Sequence, residues 1–175
     1  DKELSKEKWN KKRTINLSTV TDPYQPAERQ FKITRDILKV FLKHHNALLV
    51  TTKSDLIIRD LDILSEIAQT GFLNVVLTIP MLDEDLRKKM EPKAPSIQKR
   101  VEVLNKIHSA GITVGVTAIP LFPHISDDEN DLEKLIKTLA ENGADYVIID
   151  TLNFREEARN RIMPFIKEQY PTLVS

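Results

Sequence analysis

Cysteine is absent from the 175-residue chain, which removes disulfides, thiolate metal ligands and cysteine nucleophiles from consideration. Net charge is absent too. The 26 lysines and arginines balance 26 aspartates and glutamates, so no dominant field favours nucleic acid or a membrane surface, although a local patch stays open. No apolar run reaches the roughly 18 residues that a membrane-spanning helix needs, and the charged first residues are unlike a signal peptide. Glycines number only four, and the sequence holds no P-loop, G-x-G-x-x-G turn, zinc signature or serine-triad motif. What is present is ordinary for one soluble domain with its own core: 41% hydrophobic and 30% charged residues. A cytoplasmic location is expected. The chain opens on Asp1 rather than methionine, as a processed or excised segment would.

The stretch that organises the chain is 15–35, I-N-L-S-T-V-T-D-P-Y-Q-P-A-E-R-Q-F-K-I-T-R. Ile15, Leu17 and Val20 among Ser18 and Thr19 predict a short strand. Pro23 and Pro26 bias Asp22 and Gln25 toward extended backbone. From Ala27 onward, Phe31, Ile33, Ile37, Leu38 and Leu42 follow the spacing of an amphipathic helix. Strand, polar loop and helix make half of a βαβ unit. Parallel α/β architectures hold ligands in the loop beyond the strand's carboxyl end. Here that loop carries Thr21, Asp22, Tyr24 and Gln25; its plain alternative is a turn followed by a helix start.

The pattern then repeats. Strands are predicted over 47–52, 73–79, 112–119 and 146–152, and helices over 56–70, 97–110, 132–141 and 156–169. Apolar faces are expected from Leu61, Leu64, Ile67 and Ala68, and from Val101, Leu104 and Ile107. Gly71, Gly111 and the Asn142–Gly143 pair serve as stops, and a polar segment joins Pro80 to Pro95. Residues 1–13 carry six basic and three acidic side chains around Leu4 and Trp9. They read as a charged lead-in, either a solvated terminus or a phosphate-binding arm, ahead of one domain over 14–175. Nearly continuous apolar strands alternating with helices imply a parallel sheet covered by helices. Five units fall short of the roughly 250 residues of a closed eightfold barrel. The expected fold is therefore an open α/β sheet or an incomplete parallel (β/α) barrel with an edge to cover.

Right-handed crossovers place every strand's carboxyl end on one rim. That gathers Thr21–Asp22, Lys53–Ser54, Thr78, Thr117 with the Pro120–His124 loop, and Asp150–Thr151. Lys53 reads in three ways: an exposed side chain at a loop start, a point charge for a carboxylate or phosphate, or a Schiff-base lysine. His44 and His45 close a helix and suit its dipole, His108 has no partner in sequence, and His124 alone merits a test. Asp127, Asp128, Glu129 and Asp131 read as an acidic helix start, with calcium binding the weaker alternative for want of an EF-hand's glycine and terminal glutamate.

Four phrases then combine in order: T-V-T-D-P-Y-Q-P-A-E at 19–28, T-K-S-D-L-I-I-R-D at 52–60, M-E-P-K-A-P-S-I-Q-K-R at 90–100, and A-G-I-T-V-G-V with A-I-P-L-F-P-H-I-S-D between 110 and 127. Together they resemble the radical S-adenosylmethionine enzymes, in the branch related to spore photoproduct lyase and called DNA repair photolyase-like. The resemblance covers roughly 14–152 and implies an incomplete (β/α)6 barrel. It places Thr21 and Asp22 where the cofactor's methionyl amino group is received, and Lys53 near the cofactor carboxylate. Thr78 falls toward ribose or carboxylate, Arg100 as a second carboxylate partner with a surface helix arginine as its plain alternative, and Ile119 and Pro120 beside adenine. Isoleucine stands before that proline where lyase-like relatives often have alanine. The resemblance also implies a 4Fe–4S cluster on C-x3-C-x2-C, which this cysteine-free chain cannot ligate. A fragment of a longer parent is therefore expected. The parent would cleave S-adenosylmethionine to a 5′-deoxyadenosyl radical that acts on a further substrate, while the isolated chain would be inactive. Nucleic acid enters as a partner through the family name alone. Two other classes stay open: a Schiff-base lyase using Lys53, and a non-catalytic binding domain.

Overall fold

The structure, a computed structural model, describes residues 1–6, 13–18, 20–151 and 156–173. Five strands form one sheet: β1 (Ile15–Leu17), β2 (Leu48–Thr52), β3 (Leu73–Thr78), β4 (Thr113–Leu121) and β5 (Tyr146–Thr151). Spatial order equals chain order, and every neighbouring pair is parallel. A doubly wound sheet reverses direction at a switch point, and here there is no reversal. Each crossover advances one strand with the same hand, so the helices collect on one face and the sheet follows the course of a barrel. This is the incomplete (β/α) barrel of five units that the sequence predicts.

The helices are α1 (Glu28–Phe31), α2 (Ile33–His44), α3 (Leu61–Thr70), α4 (Glu84–Met90), α5 (Ile97–Ser109), α6 (Glu129–Glu141) and α7 (Glu156–Gln169), with a 3-10 turn over Asp55–Asp60. Alternation along the strands sets the core. Leu48 and Val50, Val75 and Leu77, and Val114 and Val116 pack with Leu38, Leu64, Ile67, Leu104, Ile107 and Leu139 from the helices. The opposite face carries Thr51, Thr117, Tyr146 and Ile148, which are half-buried or exposed. Gly115 pairs with Tyr146, and a Cβ there would lie 2.1 to 2.6 Å from the tyrosine ring. Glycine lets that ring cross the strand, so that Asn74 Nδ2 donates to its hydroxyl at 2.6 Å. Among the described residues no helix is long and apolar enough to cross a membrane.

Several boundaries differ from the sequence reading. β1 stops at Leu17 because Ser18 turns left-handed at φ 76°, which leaves Val20 fully out in solvent. The helix expected from Ala27 breaks at Lys32, φ 54°. That break re-phases the chain, exposing Phe31, Ile33 and Ile37 and turning Leu38 and Phe41 inward. The helix expected over 56–70 begins as the 3-10 turn, and α3 buries Ile63 with Leu64 and Ile67, leaving Leu61 and Ala68 at the core's margin. The polar segment before Pro95 contains α4, capped by Asp83, whose carboxylate accepts from Asp85 N and Leu86 N at 2.9 Å. Asp128 caps α6 in the same way, so the acidic run is a helix start. Gly111 and Gly143 follow α5 and α6 at φ 73° and 91°, the left-handed geometry of a helix stop. Residues 7–12 of the lead-in, Trp9 among them, and Thr19 and Leu152 lie outside the described residues.

Candidate functional site

The carboxyl ends of β1 and β2 meet at Asp22. Its Oδ1 accepts from Tyr24 N at 2.8 Å and Thr52 Oγ1 at 2.6 Å, and its Oδ2 accepts from Lys53 N at 2.8 Å. The first bond is an Asx turn that Pro23 helps to set. The other two tie the loop after β1 to the end of β2. Tyr24, itself buried, plugs the loop from below, and the Arg59 guanidinium sits 6.0 Å from its ring centre. Arg59 and Arg35 in turn converge on the buried Asp60.

Glu91, just past α4, forms the second junction. One carboxylate oxygen accepts from Lys53 Nζ and the other from Arg100 Nη2 at 2.6 Å. Arg100 is 2% exposed. Its Nη1 donates to Thr78 O and its Nε to Pro95 O, both at 3.0 Å. Thr117 Oγ1 donates to Thr78 Oγ1 at 3.1 Å, joining β4 to β3. Burial pushes the Glu91 carboxyl up, but the hydrogen bond and charge of Lys53 and the Arg100 guanidinium outweigh it and hold it below the usual glutamate range.

Ser18, Thr21, Asp22, Thr51, Lys53 and Thr78 line one cavity of about 360 Å³ on this rim. Four of the residues singled out from sequence, Thr21, Asp22, Lys53 and Thr78, are therefore brought together. A neighbouring cleft of about 450 Å³ shares Asp22 and Lys53 and adds Arg29, Lys93 and Lys99. Arg100 does not line the cavity; it stands behind Thr78, with each of its described donors aimed at a protein oxygen. The alternative of a surface arginine is corrected by its burial within α5. Ile119 and Pro120 are half-buried on β4 beyond Thr117 and do not line the cavity. His124 sits in the loop after β4 at φ 62°, its backbone N–H donating to Asp127.

Glu91 is the site residue that sequence reasoning missed. It lay inside the M-E-P phrase without a role, and the cue was the Asp83 cap with acids leading and bases ending the run that follows. Chemically, the rim offers an ammonium, hydroxyls and a carboxylate whose oxygens already accept three bonds. Lys53 and Arg100 balance Asp22 and Glu91, so the rim sums to no net charge, and Lys53 supplies the ammonium that a ligand carboxylate would meet. These groups fit the charged end of an amino-acid-bearing ligand. They do not fit an iron–sulfur cluster, for which no thiolate exists.

A family model, the Radical SAM superfamily, matches residues 2–139. An uncharacterized protein of Mycobacterium tuberculosis is 30% identical over 173 residues, covering 99% of this chain and 51% of that protein. An uncharacterized protein of Methanocaldococcus jannaschii is 37% identical over 115 residues, 66% of this chain and 43% of the other. The chain spans about half the length of the curated relatives it matches. Among solved structures, spore photoproduct lyase superposes with a TM-score of 0.64 at 18% identity, covering 90% of this chain and 45% of that one. SuiB of Streptococcus suis, bound to S-adenosylmethionine, gives 0.59 at 15%, covering 89% and 35%. At these identities the likeness is one of fold.

Proposed function

The chain belongs to the radical S-adenosylmethionine superfamily, and we propose that its rim is the cofactor-holding part of such an enzyme within a longer protein. The observation that carries this reading is the continuous hydrogen-bonded path Asp22–Lys53–Glu91–Arg100–Thr78–Thr117, of which Asp22, Lys53 and Thr78 line one cavity. In this reading Lys53 holds the carboxylate of S-adenosylmethionine, the Thr21–Asp22 loop receives its amino group, and Thr78 faces its ribose or carboxylate. Ile119 and Pro120 flank the adenine farther along β4. Arg100 contributes through Glu91 and the Thr78 carbonyl. When bound, the cofactor supplies hydrogen-abstracting radical chemistry, and the difficult step belongs to it rather than to a protein nucleophile. The cluster of the family finds no ligand in this chain, so its cysteines belong to the remainder of the longer protein.

The test is calorimetry of S-adenosylmethionine binding to the full-length, cluster-reconstituted protein and its Lys53→Ala variant. A charge-assisted hydrogen bond is worth about 1.5–3 kcal/mol, so the variant is expected to bind about 10- to 100-fold more weakly. Equal affinities would remove Lys53 from the site.

A further inference from the structure

We propose that Glu91 is a positioning residue of this site: it touches no ligand, and it aims the Lys53 ammonium at the cavity from an anchor made by two arginines. The inference rests on reading the cavity as the S-adenosylmethionine site.

Glu91 is held from both ends. Its backbone carbonyl accepts from Arg87 Nη1, which also donates to Ala94 O, both at 2.9 Å. Pro92 and Pro95 stiffen the same loop, and Arg100 Nε grips Pro95 O. Exposure rises along the side-chain chain, from 2% at Arg100 to 15% at Glu91 and 39% at Lys53. Arg100 and Glu91 are therefore the fixed end and Lys53 the free one. An unrestrained lysine has a long flexible stem and three donors, and this one borders two cavities. Glu91 takes one donor and leaves two for a ligand carboxylate. The ordering of Lys53 is then complete before the ligand arrives, which is how preorganisation raises affinity.

Glu91→Gln separates anchor from aim. A buried guanidinium left without an acceptor is costly, so the amide oxygen stays with Arg100. The amide NH2 then turns to Lys53, where donor meets donor and the lysine is released.

The experiment uses the full-length, cluster-reconstituted protein with two probes: S-adenosylmethionine and its decarboxylated analogue, which lacks the group Lys53 holds. Glu91→Gln is expected to weaken S-adenosylmethionine about tenfold, the order expected when one long side chain must be immobilised by the ligand instead of in advance. Affinity for the decarboxylated analogue stays unchanged, which also reports an intact fold, and Glu91→Asp recovers most of the loss. In a Lys53→Ala background the Glu91 change adds nothing further. A variant that binds S-adenosylmethionine like wild type overturns the inference, as does one that loses both ligands equally. In either case a Lys53→Ala loss would leave the cofactor reading standing. Failure of the wild-type protein to bind S-adenosylmethionine would instead bring down that reading, and this inference with it.

Discussion

Replacing Arg100 by methionine tests whether the rim is held from behind. The guanidinium is 2% exposed and donates to Thr78 O, Pro95 O and Glu91. Methionine fills much of the same space but leaves two carbonyls without that donor, at about 1 kcal/mol or more each. The charge-assisted bond to Glu91 adds roughly 1.5 kcal/mol, tempered because Lys53 still neutralises the carboxylate. The total is about 3 kcal/mol, at the low end for breaking a buried ion pair and a large share of a typical 5–15 kcal/mol stability. At about 2–4 °C per kcal/mol for a domain of this size, the melting temperature drops by roughly 6–12 °C. Urea unfolding followed by circular dichroism should show a lower midpoint with an unchanged slope. The adjacent Lys99, 61% exposed, is the control, and Lys99→Met should stay within about 0.5 kcal/mol. If Arg100→Met costs no more than the control, the strand ends do not depend on this arginine and the network is only a drawing of distances.

Acid should unfold the chain through its paired carboxylates. Burial raises the Asp60 carboxyl, but hydrogen bonds from Arg59 and Arg35 hold it below its ordinary value, and the hydrogen bond from Arg35 holds exposed Asp62 at about 2. A depressed folded value means stability is present above the unfolded value near 4 and lost as pH falls through the folded one. Melting temperatures should therefore decline between about pH 4 and pH 2, and less steeply in Arg35→Met, whose two partners titrate closer to their unfolded values; parallel declines would contradict this. Gly115→Ala forces its Cβ into the Tyr146 ring and should cost about 1–3 kcal/mol as an overpacked site. Adding Tyr146→Ala should restore part of that, and a fully stable single variant would show that the ring does not cross the strand.

The strands were legible because each is largely apolar in sequence; on β3 Val75, Val76 and Leu77 are buried on both faces, whereas β5 leaves Ile148 and Ile149 exposed. α4 was not, since its seven residues contain one core side chain, Leu86, beside the buried Arg87. Its signals are electrostatic: a capping aspartate, acids first and bases last. The break at Lys32 was hidden for a different reason, because a left-handed lysine carries none of the cues that glycine or asparagine would give. The burial of Arg100 was readable. Ile97, Arg100, Leu104 and Ile107 recur at helical spacing, so the arginine lies on the same buried stripe of α5 as its apolar neighbours. A cation on that stripe requires a buried acceptor, and the nearest acid before it in sequence is Glu91 in the M-E-P phrase. Lys53 is a different case, since it lies 38 residues from its carboxylate and no local pattern joins them. Only the parallel register that sets Thr52 beside Leu77, and Thr78 beside Thr117, brings those ends together. A chain with no net charge can thus set one half-exposed ammonium at a single rim, because its charged neighbours Asp22, Glu91 and Arg100 are already engaged with the protein while a ligand meets only the few groups the strands deliver.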